Sequence, residues 1–378
     1  MEATRVETAA EALLVRLAQR GIDHLFANAG TDFAPLIEGL CRLRAAGVPV
    51  PEALPIAHET AAVAMAHGYW LVTGRPQAVA LHTNVGLANA VMGLINAASE
   101  EVPMLVLSGR TPVTENGRLG SRDLPIHWGQ EMRDQAAMLR ELVKWDYELR
   151  FPEQVAELVD RALAIAASPP MGPVYLSLPR EVLCTPAPAL LEPTPCQVPA
   201  APTLPTAEAI DEAAAWLARA ERPLVVAQRS GREAAGMAAL VRLAEVAALP
   251  VVEHWPVRIS FPADHPLHAG FDPHPLLREA DLVLTVDAPV PWLPARATPP
   301  AGCRVIALGA DPLQARIPVR GFPADLVLAG EPTGTLEALA DAVAERLRGS
   351  EERLARRRAA IARHHAAWRE AARELATR

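Results

Sequence analysis

Short apolar runs alternate with segments of helical periodicity through the first half of the chain. Five such runs, rich in Val, Leu and Ala, predict β-strands, and most of the segments between them repeat apolar residues at helical spacing. The runs are His24–Asn28, Ala53–Ala57, Ala78–His82, Met104–Ser108 and Val174–Leu178. Because strands that alternate with helices form parallel sheets covered on both faces, this half predicts an α/β domain.

A proline-rich stretch then interrupts the pattern. Seven prolines, at positions 186, 188, 193, 195, 199, 202 and 205, exclude a helix and predict an extended linker. Beyond it, helical patterns at 206–220 and 234–248 alternate with five more predicted strands. These are Pro223–Gln228, Pro250–His254, Leu282–Asp287, Arg304–Leu308 and Asp325–Ala329. This order predicts a second doubly wound, Rossmann-like sheet.

Chain length and the two patterns together predict the domain organisation. A chain of 378 residues favours about two to three domains. We expect two doubly wound α/β domains with mainly parallel sheets, at 1–185 and 206–348, joined by the linker at 186–205. Residues 349–378 are dense in Arg, Glu and Ala. They predict a C-terminal helical arm that is solvated, or docked on a surface absent from this chain.

Composition excludes several classes of protein. A hydrophobic fraction of 51% argues against disorder, and a net charge of −8 argues against nucleic-acid and membrane-surface partners. The uncharged segment 76–99 contains amides and a histidine, so it predicts a soluble core rather than a membrane span. The four cysteines form no CxxC pair, and the first residues are acidic where a signal peptide is basic. We therefore expect a cytoplasmic protein.

Two residues at strand ends are candidates for chemistry. Glu59 begins a helical pattern among Ala, Val and Met, where burial disfavours the charged form, so it should resist ionisation and could share a proton with a ligand nitrogen. A glutamate that simply stabilises the helix N-terminus is the alternative. His82 follows a strand and precedes a predicted loop at 83–86 and a helix at 87–98. It points from the edge where α/β sheets bind ligands, although a hydrogen-bonded core histidine is the alternative.

Four motifs in fixed order resemble the aminopyrimidine-binding (PYR) domain of thiamine diphosphate enzymes. The motifs are Gly-x-x-His-Leu-Phe-x-Asn-x-Gly (21–30), His-Glu with Ala-x-Gly-Tyr (58–69), His-Thr-Asn-Val-Gly-x-x-Asn (82–89) and Pro-Met-Leu-Val-Leu-Ser-Gly (103–109). The similarity is to the group of acetolactate synthase and benzoylformate decarboxylase. Segments 172–182 and 261–267 look like later parts of the same group, so the resemblance covers nearly the whole chain.

The resemblance implies a role for each candidate residue. Glu59 corresponds to the glutamate that hydrogen-bonds N1′ of the cofactor's pyrimidine, and Gly86 and Asn89 correspond to the segment that packs against the cofactor. Three other residues correspond to positions near the substrate. They are His82 as proton donor or acceptor, Thr31 as a hydroxyl near the substrate carboxylate, and Gln130 as the glutamine of the synthases.

The implied reaction starts with decarboxylation of a 2-oxo acid. Acetolactate synthase-like carboligation would follow, as Gln130 and the His58-Glu59 pair suggest, so a transferase is expected. A benzoylformate-type decarboxylase, a lyase, is the alternative, because His82 matches that type. The segments 227–231 and 286–292 depart from the flavin-binding pattern of the synthases, which argues against FAD.

The largest departure concerns the metal. Enzymes of this group hold the diphosphate through Mg²⁺ on a third domain that carries Gly-Asp-Gly, and this chain has no Asp-Gly pair. We therefore expect only the pyrimidine half of the thiamine diphosphate site here, with no metal ligands and with Mg²⁺ bound by a missing domain. His265, His268 and His274 match an ordinary loop of the group rather than a metal site.

Two overall interpretations remain at this point. The first is a thiamine diphosphate enzyme, or its N-terminal portion or subunit, that acts on a small 2-oxo acid as a homo-oligomer or with a partner chain carrying the diphosphate domain. The second is a non-catalytic remnant that binds a protein partner or a metabolite.

Overall fold

The computed structural model describes residues 4–187, 190–192 and 195–377. These residues form two compact units, one ending at Ala201 and the other beginning at Pro202. Each unit is an α/β layer structure with its own apolar cores, which confirms the predicted fold class. Pro188 and Pro193 of the predicted linker lie outside the described residues. Within those residues, no helix combines the length and the apolar character that a membrane span requires.

The first unit is built on a six-stranded parallel sheet with the order β3-β2-β4-β5-β7-β6. All five predicted strands are present, and β6 and a short antiparallel pair of β1 with β8 were not predicted. The strands are β1 Thr4–Arg5, β2 His24–Asn28, β3 Glu52–Pro55, β4 Ala78–Leu81, β5 Leu105–Arg110, β6 Asp146–Glu148, β7 Val174–Pro179 and β8 Leu190–Leu191. Strand β8 pairs part of the proline-rich stretch with the N-terminal segment, so this part of the stretch belongs to the first unit.

Helices cover both faces of this sheet. They are α1 Ala9–Gln19, α2 Ala34–Ala45, α3 Glu59–Thr73, α4 Thr83–Ser99, α5 Ile126–Gly129, α6 Val155–Ala167 and α7 Arg180–Leu183. Helices α1, α2 and α6 pack on one face, and α3 and α4 pack on the other. The predicted loop at 83–86 is wrong, because these residues form the first turn of α4. The Gly86 N–H donates to the His82 carbonyl at 2.8 Å, which closes that turn.

Close packing of α3 on α4 fixes the start of each helix. A Cβ atom at Gly93 would lie 3.0 Å from the Val63 side chain, so glycine lets the two helices approach. The Thr60 hydroxyl donates to the Asn89 carbonyl at 2.8 Å. These contacts bring the N-terminal turn of α3, which carries Glu59, against the first two turns of α4.

The second unit contains a five-stranded parallel sheet with the order β10-β9-β11-β12-β13. Its strands are β9 Pro223–Ala227, β10 Val251–Glu253, β11 Leu282–Val286, β12 Arg304–Gly309 and β13 Leu326–Ala329, and all five were predicted. Its helices are α8 Ala207–Arg219, α9 Ala234–Ala247, α10 His274–Leu277, α11 Pro332–Arg346 and α12 Glu351–Ala376.

The polar helix α12 docks on this second unit. Arg357 is 6% exposed, and it donates to the carbonyls of Ala247 at 2.7 Å and Leu217 at 3.2 Å. These carbonyls lie in the last turns of α9 and α8, where a positive charge is favourable. The Trp368 ring lies against Gly270, where a Cβ atom would be 3.0 Å from it. One side of the helix is therefore held on the second unit by Arg357 and Ile361, while most of its residues are exposed, as expected for a solvated arm.

Candidate active site

The candidate residues of the first unit lie at the carboxyl edge of the six-stranded sheet. Thr31 belongs to a single helical turn that follows β2, Glu59 begins α3 after β3, and His82 follows β4 directly. Since β3, β2 and β4 are neighbouring parallel strands, their ends open at the same edge. Such an edge is where α/β sheets bind ligands.

Glu59 is held at the N-terminal end of α3. The Thr60 N–H donates to Nδ1 of His58 at 3.2 Å, so His58 caps the helix and the Glu59 side chain is not used for capping. Glu59 is 9% exposed, and Nδ2 of Asn89 donates to its Oε2 at 3.1 Å. Within the described part of the chain no donor reaches Oε1. One carboxylate oxygen is therefore fixed by α4 and the other is open to a ligand.

Gly86 leaves a space beside this open oxygen. A Cβ atom at position 86 would lie 3.4 Å from Oε1 of Glu59 and 3.6 Å from Cβ of His82. The first turn of α4, which has no side chain at Gly86, thus lies between the carboxylate of Glu59 and His82. A side chain at position 86 would therefore contact both Glu59 and His82.

His82 pairs with a residue that sequence reasoning missed. Its Nδ1 lies 2.5 Å from Oδ1 of Asp32, which is 4% exposed and follows Thr31. The hydrogen bond that His82 donates to Asp32 raises the pKa of His82; burial opposes this shift, and the charges of Asp32 and Glu59 reinforce it. A carboxylate in the turn after β2, the sheet neighbour of β4, was the available signal.

Two glycines make room for this pair. A Cβ atom at Gly30 would lie 2.1 Å from Nδ1 of His82, and one at Gly109 would lie 1.5 Å from Oδ2 of Asp32. Neither distance is possible without moving the pair. Both glycines occur in the motifs that carry the resemblance, and the structure gives them a physical reason.

Thr31 and Gln130 are the two other residues predicted to lie near the substrate. Thr31 is exposed and lies next to Asp32 in the turn after β2. Gln130 ends the short helix α5, and its carbonyl accepts from the Thr111 hydroxyl at 3.0 Å, just beyond the end of β5. The structure thus brings Glu59, His82, Gly86 and Asn89 together. In the part of the chain described, no hydrogen bond joins the Gln130 side chain to them.

No metal-binding cluster occurs among the residues described. No group of three or more His, Cys, Asp or Glu side chains there could hold an ion. The three loop histidines of the second unit instead pair separately with carboxylates: His265 with Glu245, His268 with Glu253 and His274 with Asp272.

Comparison with known protein families gives two matches. The profile of the thiamine pyrophosphate enzyme N-terminal TPP-binding domain matches residues 7–138. The profile of the central domain of the same enzymes matches residues 210–339. Together the two profiles span more than half of the chain, and the first includes the ends of β2, β3, β4 and β5 described above.

Individual relatives include both decarboxylases and a synthase. A probable 2-ketoarginine decarboxylase from Pseudomonas aeruginosa is 32% identical over 97% of this chain and 64% of its own length. The benzoylformate decarboxylase of the same species is 30% identical over 90% of this chain and 63% of its length. A probable acetolactate synthase from Mycobacterium bovis is 29% identical over 73% of this chain and 48% of its length. The chain thus spans less than two thirds of each relative.

A solved structure supports the same placement. The thiamine diphosphate-dependent 4-hydroxybenzoylformate decarboxylase of Rhodococcus jostii superimposes with a TM-score of 0.70 and 26% identity. The match covers 89% of this chain and 62% of that protein. Sequence and structure therefore agree on the family of this chain.

Proposed function

Since the chain belongs to the thiamine pyrophosphate enzyme family, we propose that it forms, alone or with a partner chain, a thiamine diphosphate-dependent decarboxylase of 2-oxo acids. The observation that carries this proposal is the placement of Glu59 and His82 on either side of the bare backbone at Gly86. Glu59 can form a hydrogen bond with a ring nitrogen of the cofactor, while His82 faces the substrate.

Three residues would hold the pyrimidine of the cofactor. Glu59 offers its open Oε1 to a ring nitrogen, Asn89 fixes the other carboxylate oxygen, and Gly86 keeps the backbone beside Oε1 free of a side chain. When bound, thiamine diphosphate supplies the sink for the electrons released as a 2-oxo acid loses CO₂. The role of Glu59 is to exchange one proton with the ring through Oε1.

His82 would supply the proton that replaces CO₂. Because the hydrogen bond that His82 donates to Asp32 raises the pKa of His82, the imidazole keeps its proton to a higher pH than an ordinary histidine. A charged imidazole at the sheet edge can donate the proton that takes the place of CO₂ in the aldehyde product. Thr31, in the adjacent turn, would bind the substrate carboxylate.

This proton donor favours decarboxylation over carboligation. Carboligation requires a second carbonyl compound at the point where decarboxylation requires a proton, and the His82 side chain offers the proton. The decarboxylases named above also match this chain over a larger share of its length than the synthase does. Acetolactate synthase-like carboligation stays the second candidate, favoured by Gln130 in the loop beyond β5.

The proposal includes partners and a compartment. Mg²⁺ and the diphosphate would be held by another domain or chain, since the described residues offer no cation site. The outer surface of α3 and α4 exposes Met65, Val85, Met92 and Ile95, which supports an interface with a second copy or a partner chain. We propose the cytoplasm as its location, consistent with four cysteines that are all free.

Product analysis tests the reaction type. The protein, together with the domain or partner chain that holds the diphosphate, is supplied with thiamine diphosphate and Mg²⁺ and given benzoylformate, 2-ketoarginine or pyruvate, and CO₂ and organic products are measured. We expect CO₂ and an aldehyde from at least one of the larger acids. A 2-hydroxy-ketone or acetolactate as the main product would support the synthase. Failure both to turn over any acid and to bind the cofactor would support the non-catalytic interpretation.

A further inference from the structure

Asp32 is the most deeply buried carboxylate at the candidate site. It follows the exposed Thr31 and is 4% exposed itself, although it lies at the open edge of the sheet. A carboxylate in such a place requires partners, because burying an unpaired charge is costly. Its partners indicate what it does.

Each oxygen of Asp32 accepts from a different donor. Oδ1 lies 2.5 Å from Nδ1 of His82, and Oδ2 accepts from the Thr83 N–H at 3.2 Å. Asp32 therefore contacts both the ring of His82 and the backbone of the next residue. Thr83 has a φ of 35°, in the left-handed region that a threonine seldom adopts. The carboxylate thus holds the backbone at the turn from β4 into α4.

The surrounding backbone leaves the carboxylate little freedom. Gly30 lies under the His82 ring, and Gly109 lies against Oδ2 of Asp32, each closer than a side chain would allow. Gly109 is in turn held by Gln135, whose Nε2 donates to the Gly109 carbonyl at 2.9 Å. Gln135 is buried and also donates to the Ser108 hydroxyl at 2.8 Å. These contacts with strand β5 therefore fix the position of Asp32.

Hydrogen bonding at Nδ1 decides which ring nitrogen is available. With Nδ1–H donated to Asp32, a neutral His82 presents Nε2 as an acceptor and a charged His82 presents Nε2–H as a donor. Among the described residues, none forms a hydrogen bond with Nε2, and the side chain is 21% exposed. Proton exchange with a ligand must then occur at Nε2.

We propose that Asp32 is a positioning residue that orients the His82 ring and selects Nε2 as the nitrogen that exchanges a proton with the substrate. This inference rests on the proposed function for the identity of the proton acceptor, and on geometry alone for the orientation of the ring. The charged groups facing His82 are Asp32, from the turn after β2, and Glu59, from α3; His58 lies 4.0 Å beyond Glu59.

The substitution Asp32→Asn removes the charge of the side chain and keeps its size. An amide of the same size can accept at one oxygen only, and its NH₂ group would meet either the Thr83 N–H or Nδ1–H of His82. The variant Asp32→Asn should therefore remove both the charge and one of the two hydrogen bonds. The exposed Asp341, which pairs with Arg242 in the second unit, provides the matched control Asp341→Asn.

The test measures the titration of His82 directly. Diethyl pyrocarbonate modifies the uncharged imidazole, so the rate at which the His82 peptide is modified, followed by mass spectrometry across pH, gives the midpoint for His82. We expect this midpoint to fall to a lower pH in Asp32→Asn and to stay unchanged in Asp341→Asn. An unchanged midpoint in Asp32→Asn, with the protein folded by circular dichroism, would overturn the proposal.

Kinetics then separate this inference from the proposed function. If decarboxylation occurs, Asp32→Asn should lower kcat by about 10-fold or more with a smaller change in KM, and its pH profile should shift in the same direction as the midpoint. If no 2-oxo acid is decarboxylated, the proposed function fails, while the titration midpoint of His82 in Asp32→Asn still tests the role of Asp32. A fall in kcat without any shift of the pH profile would contradict the positioning role.

Discussion

Glu59 and Gly86 face each other where α3 meets α4, and a Cβ atom on residue 86 would lie 3.4 Å from Oε1 of Glu59. The same turn of α4 carries His82 at its start, and Asn89 one turn later fixes Oε2 of Glu59. A single helix N-terminus thus arranges both proton-exchanging groups and the space between them. The first predictions concern this arrangement.

Replacing Gly86 by Leu should block the space beside Glu59. The side chain would occupy the volume assigned to the pyrimidine, while leucine favours the helix more than glycine does, so the fold should persist. We expect the affinity for thiamine diphosphate, measured by calorimetry in the presence of Mg²⁺, to fall by about 10-fold or more. Gly68→Ala is the control, because a Cβ there meets nothing within 4 Å. Equal affinities of Gly86→Leu and the wild type would remove Gly86 from the binding site.

Asn89→Ala should weaken the fixation of the Glu59 carboxylate. The substitution removes the donor to Oε2 and leaves the backbone contact with Thr60 in place. Since hydrogen bonds to charged groups contribute about 1.5–3 kcal/mol, we expect kcat to fall by about 10-fold or more. Asn96→Ala, on the same helix, should keep the wild-type rate. Equal rates for both variants would show that Asn89 does not hold the carboxylate in the reaction.

The His82–Asp32 pair should make stability depend on pH. Because the pKa of His82 is raised in the folded protein, the pair stabilises the fold fully at pH values below the ordinary histidine value of about 6.5. This contribution is lost as the pH rises through the raised pKa. The difference in free energy of unfolding between wild type and His82→Gln, measured in urea, should therefore shrink as the pH rises above the ordinary histidine value. A difference that stays constant as the pH rises would contradict the assignment.

Gly109→Ala should destabilise the first unit. The added methyl group would overlap Oδ2 of Asp32 on the central strand β5, and overpacking of this kind costs about 1–3 kcal/mol. Urea unfolding followed by circular dichroism measures the loss. Gly129→Ala, where a Cβ meets nothing within 4 Å, should cost much less. If the two variants unfold at the same urea concentration, the tight contact at Gly109 is not present in solution.

Arg357→Ala should loosen α12 from the second unit. Its guanidinium donates to carbonyls at the ends of α8 and α9, so its loss leaves buried acceptors without a donor and should cost about 1–3 kcal/mol. The neighbouring Arg356 is exposed and forms only a 3.9 Å ion pair within the helix, so Arg356→Ala is the control. Proteolysis within α12 that is equally slow in both variants would argue against docking through Arg357.

Much of this molecule could be predicted from its sequence. The strands of both sheets are short apolar runs bounded by polar residues, and all ten predicted strands are present. Strand β6 was missed because Asp146–Glu148 is polar and only half buried. The start of α4 was placed too late because glycine and asparagine in the first turn are typical of a loop, whereas here Gly86 lies in the helix beside Glu59.

Asp32 and α12 show what the sequence pattern could not reveal. The resemblance directed attention to Thr31, while Asp32 depends on a contact with His82 across 50 positions in the chain, which sheet order alone creates. Helix α12 has few apolar residues, and apolar spacing is the signal by which docking is predicted. Its arginines bind helix ends, an interaction that leaves no periodic pattern.

The rate of CO₂ release by Glu59→Gln tests the central claim most directly. The variant keeps the shape of the side chain but cannot exchange a proton with a ring nitrogen, so we expect a rate about 10²-fold below wild type with the best 2-oxo acid. Glu38→Gln, an exposed glutamate on α2, should keep the wild-type rate. A Glu59→Gln enzyme that releases CO₂ as fast as Glu38→Gln would contradict the assignment of Glu59 and with it the proposed site.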